Sequence, residues 1–141
     1  MSASKHKLYW RLQLAAHFLQ KHADGELLKK GNITTAQTGV LTVIANGSNV
    51  SQKDVAVALG LNESAVTAMV KRLIALKYIK RQQSNTDKRV RLLTLTKSGI
   101  DAQKNVRPPF KKINDQIEAT LSDGEIEQLT GYLDRLTKSF E

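Results

Sequence analysis

The spacing of hydrophobic residues predicts a chain that is mainly helical up to residue 76. Apolar side chains recur at helical intervals from Leu8 to Leu19, so residues 5–29 are expected to form a helix with a wide apolar face, ended by Gly31 and Asn32. Residues 34–37 have the form of a capping box and open a second helix that ends near residue 46. Ser51 then caps a short third helix, and Asn62 caps a fourth that runs to about residue 76.

After residue 76 the pattern becomes that of a β-hairpin followed by two more helices. Residues 78–83 and 90–96 flank a polar loop, as the strands of an antiparallel hairpin do. Thr96 caps a fifth helix, in which Pro108 and Pro109 predict a kink or a break. A capping box at residues 122–125 opens a last helix whose narrow apolar stripe favours a seam between helices. The stripe consists of Ile126, Leu129, Leu133, Leu136 and Phe140.

Length and composition limit the chain to one domain and exclude several kinds of chemistry. A chain of 141 residues that is 40% hydrophobic has enough apolar residues for the core of one domain. It has no cysteine, which excludes disulfides, thiol catalysis and cysteine-ligated metal. No apolar run is long enough to span a membrane, and the first twenty residues lack a convincing signal peptide. A cytosolic protein without membrane association is expected.

The positive charge is concentrated in one segment. The formal net charge is +9, and residues 71–100 hold nine Lys or Arg side chains against Asp87 alone. Such a block within a folded segment indicates a polyanionic partner. The alternative is a solvated lysine-rich face, and charge alone leaves both interpretations open.

Residues 51–76 have the pattern of a helix-turn-helix. Gly60 lies between two short helices and permits the positive φ that a tight turn between them needs. Ala56 is small enough to let the helices cross closely, and the β-branched Val66 fills the crossing. Since many helical hairpins contain a glycine, this spacing is only moderately specific.

The second of these helices has two unlike faces. Val66, Met69, Val70 and Leu73 point one way, and the opposite face is polar, then small, then cationic. A helix that lies in the major groove of DNA needs short side chains, hydroxyls for base edges and cations for the strand. An ordinary amphipathic surface helix is the alternative. The predicted DNA-binding residues of this helix are Ser64, Thr67, Ala68, Lys71 and Arg72.

The hairpin that follows has a basic tip. Asp87, Lys88, Arg89 and Arg91 are predicted to belong to the DNA-binding surface, because a β-ribbon beside a groove-reading helix can place an arginine in the minor groove. Asp87 can hold the Arg89 guanidinium or cap the turn, and the alternative is a surface ion pair of little consequence. A helix-turn-helix followed by a basic hairpin is a winged helix, and this combination is more specific than either part.

The sequence resembles the MarR-type (multiple antibiotic resistance regulator) family of transcription factors over the whole chain. The motif Asp87-Lys-Arg89 followed by Leu95-Thr96-x-x-Gly99 matches the family signature, as does the stretch SAVTAMVKRLIALKYIKR. Two features depart from the family pattern: Lys77 stands where members usually have glycine, and the Pro108-Pro109 pair is unexpected.

The resemblance implies one domain over residues 1–141 that acts as a homodimer on double-stranded DNA. Residues 33–96 would form the winged helix-turn-helix lobe, and residues 1–32 and 97–141 a helical dimerisation region. Two recognition helices would then enter successive major grooves of a pseudo-palindromic operator. The apolar stripes of the terminal helices agree with a dimer, although packing within one chain is an alternative.

Family members also respond to effectors, often small aromatic molecules, and a pocket formed by Trp10, His17 and Phe18 is the candidate here. Core packing is the alternative for these side chains. His6, His17 and His22 lack the spacing of metal ligands, so no metal and no cofactor is expected. No enzymatic motif is present. The resemblance thus implies a sequence-specific transcription regulator, and a repressor because steric repression is the commoner mode in the family. The alternative is a winged-helix module that binds proteins or binds nucleic acid non-specifically.

Overall fold

The computed structural model describes residues 3–31 and 33–141 as eight helices and three short strands. The first half of this part of the chain contains α1 (Ala3–His6), α2 (Leu8–Gly31), α3 (Thr35–Asn46), β1 (Val50–Ser51), α4 (Gln52–Leu59) and α5 (Glu63–Ala75). The second half contains β2 (Ile79–Gln83), β3 (Arg91–Leu95), α6 (Lys97–Asn105), α7 (Arg107–Ala119) and α8 (Asp123–Ser139). The predicted fold class, mainly α with a small hairpin, is confirmed. No helix in these residues is long and apolar enough to cross a membrane.

The chain divides into two compact units. The first ends at Arg107 and contains the sheet and the helices up to α6, and the second runs from Pro108 to Glu141 and contains most of α7 and all of α8. In the first unit α3 is the central helix, since it packs on α2, α4, α5, α6 and β3. Its side chains Val40, Leu41 and Ile44 are buried and form the middle of the core.

The predicted caps at Thr34, Ser51 and Ser122 are all present as capping boxes, and each sets the start of a helix. At α3 the Thr34 hydroxyl accepts the N–H of Gln37 at 3.2 Å, and the Gln37 side chain accepts the N–H of Thr34 at 3.1 Å. Ser51 with Asp54 opens α4 in the same way, and Ser122 with Glu125 opens α8. Because two otherwise unsatisfied N–H groups are bonded reciprocally, such boxes fix helix starts from local sequence alone.

The N-terminal helix departs from its prediction at its start. The continuous helix expected from residue 5 is divided by Lys7, whose φ of 49° lies in the left-handed region and separates α1 from α2. The helix was predicted to end at Gly31 and Asn32, and α2 does end at Gly31. Asn32 lies outside the described residues.

The sheet contains one strand more than the predicted hairpin. The strand order is β1-β3-β2 and all pairs are antiparallel, with Val50 opposite Leu93 and Arg81 opposite Leu93 on its other side. β1 has only two residues, too few for an alternating pattern, so periodicity could not predict it. It joins the start of α4 to the sheet and so fixes the helix-turn-helix against the hairpin.

The predicted interruption near the double proline is present. α6 ends at Asn105, Val106 caps it, and α7 begins at Arg107. Pro108 and Pro109 therefore occupy the first turn of α7, where a missing N–H removes no helical hydrogen bond. The two prolines thus begin a helix instead of breaking one in its interior.

Lys77, where family members usually have glycine, has a φ of 63° and ends α5 in a Schellman motif. The Lys77 N–H donates to the Ile74 carbonyl at 2.9 Å, and the Tyr78 N–H donates to the Leu73 carbonyl at 3.0 Å. The second of these bonds requires the left-handed conformation at residue 77, which glycine adopts without strain. The departure from the family pattern therefore leaves the turn intact at some conformational cost.

We accordingly expect Lys77→Gly to stabilise the protein. Relief of the left-handed strain should outweigh the greater entropy that glycine gives the unfolded chain, for a net gain of roughly 0.5–1 kcal/mol. Urea unfolding followed by circular dichroism measures the difference. Lys71→Gly is the matched control, because glycine inside α5 should cost about 1 kcal/mol. Equal destabilisation by both changes would contradict the assignment of strain to Lys77.

The Leu95-Thr96-x-x-Gly99 motif fixes the end of the hairpin to the end of α5. Thr96 caps α6 by accepting the Gly99 N–H at 3.0 Å, and its hydroxyl donates to the Lys77 carbonyl at 2.6 Å. A Cβ added at Gly99 would lie 1.9 Å from the Tyr78 carbonyl oxygen, so a side chain at this position would collide with backbone. The signature residues therefore hold the hairpin at its angle to α5.

Candidate nucleic-acid interface

The helix-turn-helix has the geometry that residues 51–76 predicted. Gly60 has a φ of 64° and its N–H caps α4 by donating to the Ala56 and Val57 carbonyls. Asn62 then caps α5, because its side chain accepts the Ala65 N–H at 2.8 Å. Ala56 and Val66 are both buried, and α4 packs directly on α5. The turn and the two caps together fix the direction of α5.

The two faces of α5 are arranged as predicted. Val66, Val70 and Leu73 are fully buried and Met69 is half-buried. The opposite face points outward and is called the recognition face from here on. Its predicted DNA-binding residues Ser64, Ala68, Lys71 and Arg72 are exposed, and Thr67 is half-buried.

The structure gives the Thr67 hydroxyl an internal role. It donates to the Glu63 carbonyl at 2.9 Å and accepts a hydrogen bond from the Gln52 side-chain amide at 3.4 Å. Its predicted contact with DNA stays a prediction, but the same hydroxyl also links α5 to the start of α4.

The hairpin tip holds Arg89 on an acidic residue, as the motif suggested. The Arg89 Nε donates to Asp87 Oδ1 at 3.2 Å and its Nη2 donates to Oδ2 at 3.4 Å, while the Arg89 backbone N–H also donates to Oδ1. Asp87 therefore both caps the turn and holds the guanidinium. The Arg89 side chain remains 92% exposed, so it is oriented and yet open to a partner.

The same contacts change the acidity of Asp87. Hydrogen bonds from the Arg89 side chain and then from its backbone N–H lower the pKa of the Asp87 carboxyl from its ordinary value. Because the pKa is lowered on folding, the pair is intact at neutral pH and is lost only as the pH falls through that lowered pKa. At physiological pH the Asp87 carboxyl is therefore ionised, as its hydrogen bonds to the Arg89 guanidinium require.

Between the hairpin, the start of α4 and the start of α5 lies an open depression of about 510 Å³, here named the wing groove. Its cationic lining side chains are Lys53, Arg81, Arg89 and Arg91, and Glu63 is its single carboxylate. The remaining lining residues are Ser51, Gln52, Thr67 and Val90. The groove brings the predicted Thr67, Arg89 and Arg91 together with residues that sequence reasoning did not select.

Six of the nine groove-lining residues were not among the predicted DNA-binding residues, including Gln52, Lys53 and Arg81. Gln52 and Lys53 directly follow Ser51, which was predicted only as a helix cap, and Arg81 was counted only among the nine basic residues of 71–100. Alternation along β2 could have identified Arg81, since Ile79 must face the core and Arg81 shares its face. Lys88, by contrast, is exposed at the tip and is not among the groove-lining residues.

The candidate effector residues lie along the exposed part of α2. Trp10 packs edge-on against Tyr9 at a centroid distance of 5.0 Å, and His17 packs edge-on against Phe18 at 5.5 Å. Trp10 and Phe18 are about 12 Å apart along the helix axis, at 1.5 Å per residue, and both are exposed. A pocket shared by the three side chains stays a prediction.

A helix-turn-helix followed by a basic antiparallel wing defines a winged helix, and known proteins with the same arrangement are similar to this chain. The MarR family model matches residues 32–90. The HTH-type transcriptional regulator MgrA of Staphylococcus aureus is 28% identical over 139 residues, which cover 97% of this chain and 92% of MgrA. This relative resembles the chain in both units.

Solved structures agree with the sequence comparison. Staphylococcus aureus MepR, crystallised as a DNA complex, superposes with a TM-score of 0.86 at 26% identity, covering 93% of this chain and 96% of MepR. Sco3205 of Streptomyces coelicolor, a MarR family regulator solved with DNA, gives a TM-score of 0.91 over 100% of this chain and 94% of its own, and at 18% identity it supports the fold. These comparisons support a MarR-type transcription regulator, with the family model matching the helix-turn-helix and the hairpin over residues 32–90.

Proposed function

We propose that this protein is a DNA-binding transcription regulator that acts as a homodimeric repressor on a pseudo-palindromic operator. The observation that carries the proposal is the wing groove together with the recognition face. Four cationic side chains line the groove, and Lys71 and Arg72 extend the positive charge along α5. Cations at this density fit a phosphate backbone, and the short side chains Ser64 and Ala68 allow close approach to base edges.

The similarity to MepR supports double-stranded DNA as the partner, since that protein was crystallised in a DNA complex. In the proposed mode α5 lies in the major groove and the hairpin lies beside it, with Arg89 directed to the adjacent minor groove. Repression follows if the bound dimer excludes the polymerase from a promoter. The proposal includes no enzymatic activity and no cofactor, and a cytoplasmic, nucleoid-associated location goes with it.

The last helix supports a homodimer. No residue of α8 is buried, although Leu129, Tyr132, Leu133 and Leu136 form an apolar stripe along it. Exposed apolar stripes of this length are covered in functional proteins, because leaving them in water costs about 25 cal/mol per Å². A second copy supplies an identical stripe, which suits a two-fold interface.

The proposal assigns different roles to two regions of the chain. We assign residues 33–96 to the DNA-binding lobe and residues 1–32 and 97–141 to the dimerisation region. The exposed apolar side chains of α2, including Leu8, Leu12 and Leu14, fit this division, since helices that are apolar on several faces are buried in assemblies. A small aromatic effector that alters the spacing of two DNA-binding lobes would act through this region, with Trp10, His17 and Phe18 as its candidate contacts.

The proposal is tested by selecting bound duplexes from a random DNA pool at two salt concentrations. A dimeric regulator should enrich an inverted repeat whose half-sites lie about one helical turn apart. Salt-sensitive retention without a motif would indicate a non-specific nucleic-acid binder. No retention of duplex DNA would favour a winged helix that binds proteins instead.

Glu63→Gln should strengthen DNA binding by about threefold, because the change removes the carboxylate that approaching phosphates meet in the wing groove. The same change should slightly destabilise the protein, by about 0.3–1 kcal/mol, since Glu63 suits the N-terminus of α5. Fluorescence anisotropy with the selected duplex gives the first quantity and thermal unfolding the second. The opposite signs exclude a general effect on folding. Weaker binding by the variant would contradict the proposal that DNA phosphates lie near Glu63 in the wing groove.

A further inference from the structure

Arg81 occupies a position where the strand pattern otherwise calls for an apolar side chain. Arg81 pairs with Leu93 and Ile79 pairs with Leu95, so these side chains share the inner face of the sheet. Ile79 and Leu93 are each only 2% exposed. Packing of the sheet does not require a guanidinium at this position, and burial of a charge there is unfavourable unless it has a partner.

Gln52 supplies a partner that does not neutralise the charge. The Arg81 Nη1 donates to Gln52 Oε1 at 3.3 Å, and Arg81 itself is half-buried. Within residues 3–31 and 33–141, no carboxylate oxygen lies within 4.0 Å of the Arg81 guanidinium. The guanidinium is therefore held in place by Gln52 and lines the wing groove, without an ion pair to any carboxylate of the described residues.

Gln52 also connects this guanidinium to the recognition face. Its amide nitrogen donates to the Thr67 hydroxyl, so one side chain at the start of α4 bonds to both α5 and β2. These residues lie 15 and 29 positions from Gln52 in the chain. The network fixes the Arg81 charge relative to the helix that would enter the major groove.

From this arrangement we infer that Arg81 is a further DNA contact, which binds a backbone phosphate in the wing groove, and that Gln52 is its positioning residue. The inference rests on the proposed function. A phosphate fits because the guanidinium presents several N–H donors to two oxygens at once. Lys53 and Arg91 line the same groove and would neutralise the neighbouring phosphates of the strand.

The test compares two charge deletions on opposite faces of one strand. Arg81 lines the groove, whereas Lys80 pairs with Thr94 on the outer face of β2 and is exposed. Arg81→Ala should weaken binding to the selected duplex about tenfold and reduce the slope of log K against log salt by about 0.9, the loss of one phosphate contact. Lys80→Ala should change affinity by less than about twofold and leave the slope unchanged, because its charge is exposed and screened.

Two further variants separate charge from orientation. Arg81→Lys keeps the charge and should retain the wild-type slope with intermediate affinity, since an ammonium cannot form the forked contact. Gln52→Ala keeps the Arg81 charge but removes the hydrogen bond that holds its guanidinium. This variant should therefore retain the wild-type slope and bind DNA about threefold more weakly, the effect of one lost hydrogen bond. Anisotropy titrations between about 50 and 200 mM KCl give both quantities, and the salt range is the one over which phosphate contacts dominate. Thermal unfolding and gel filtration establish that each variant is folded.

The outcomes separate this inference from the proposed function. Wild-type binding together with an unaltered slope for Arg81→Ala would overturn the phosphate contact alone, as would an equal loss for Lys80→Ala. A lowered slope for Gln52→Ala would overturn its role as a positioning residue. If the wild-type protein binds no duplex, the proposed function fails and this inference fails with it.

Discussion

Replacing Leu133 and Leu136 together with aspartate will abolish the dimer, leaving monomers or unfolded protein. Both side chains lie on the α8 stripe, with exposed fractions of 41% and 42%. In the proposed dimer each loses its remaining contact with water, which is worth about 0.6–1.2 kcal/mol, because complete burial of a leucine is worth about 1.5–3 kcal/mol. Aspartate removes that gain and adds four unpaired charges across a two-fold interface, each of which is costly to desolvate.

Sedimentation equilibrium over a range of protein concentrations measures the effect directly. The matched control is Gln128→Asp with Lys138→Asn, which changes the net charge of the helix by the same −2. Both positions lie five residues from Leu133, about 140° around α8 from that side chain, and both are exposed. The control variant should remain dimeric. A stable dimer of the leucine variant with wild-type affinity would place the interface elsewhere.

Features set by neighbouring residues were the ones that the sequence predicted best. The capping boxes at Thr34, Ser51 and Ser122 and the positive φ of Gly60 need only a few consecutive residues to be recognised, because the bonding groups lie within one turn. The strands of the hairpin were found for a similar reason, since their pattern is local and their connection is short.

Features that depend on distant pairing were missed. β1 is two residues long and exists because Val50 meets Leu93, which lies far along the chain. The wing groove has the same origin, since Gln52 and Arg81 meet only once β1, β3 and β2 are in register. The periodicity of a single segment carries no information about contacts between distant residues. The alternation that starts at Ile79 does indicate which face of the sheet Arg81 occupies. The pairing of the three strands therefore creates the part of the candidate site that sequence patterns could not predict, namely the wing groove with Gln52 and Arg81.

Arg89→Ala will weaken DNA binding by at least tenfold, about 1.4 kcal/mol, without changing folding or dimerisation. The guanidinium is held by two hydrogen bonds to Asp87, so its loss removes a charge that is already oriented towards the partner. The fold is spared because the turn depends on the Arg89 backbone N–H, which alanine retains. The ion pair itself is exposed and contributes little to stability. Anisotropy with the selected duplex measures the affinity, and thermal unfolding measures the stability.

Two companion variants identify what the Arg89 side chain contributes. Lys104→Ala removes one exposed charge from α6 outside the wing groove, so it should bind DNA almost as the wild type does. Asp87→Ala keeps the Arg89 charge but releases the guanidinium and removes the cap of the turn, and its effect should lie between the other two because the cation itself is retained. Wild-type affinity for Arg89→Ala would show that the hairpin does not contact DNA. In that case the cations of the recognition face, Lys71 and Arg72, would have to account for the attraction to DNA, and the Asp87–Arg89 pair would serve only to close the turn.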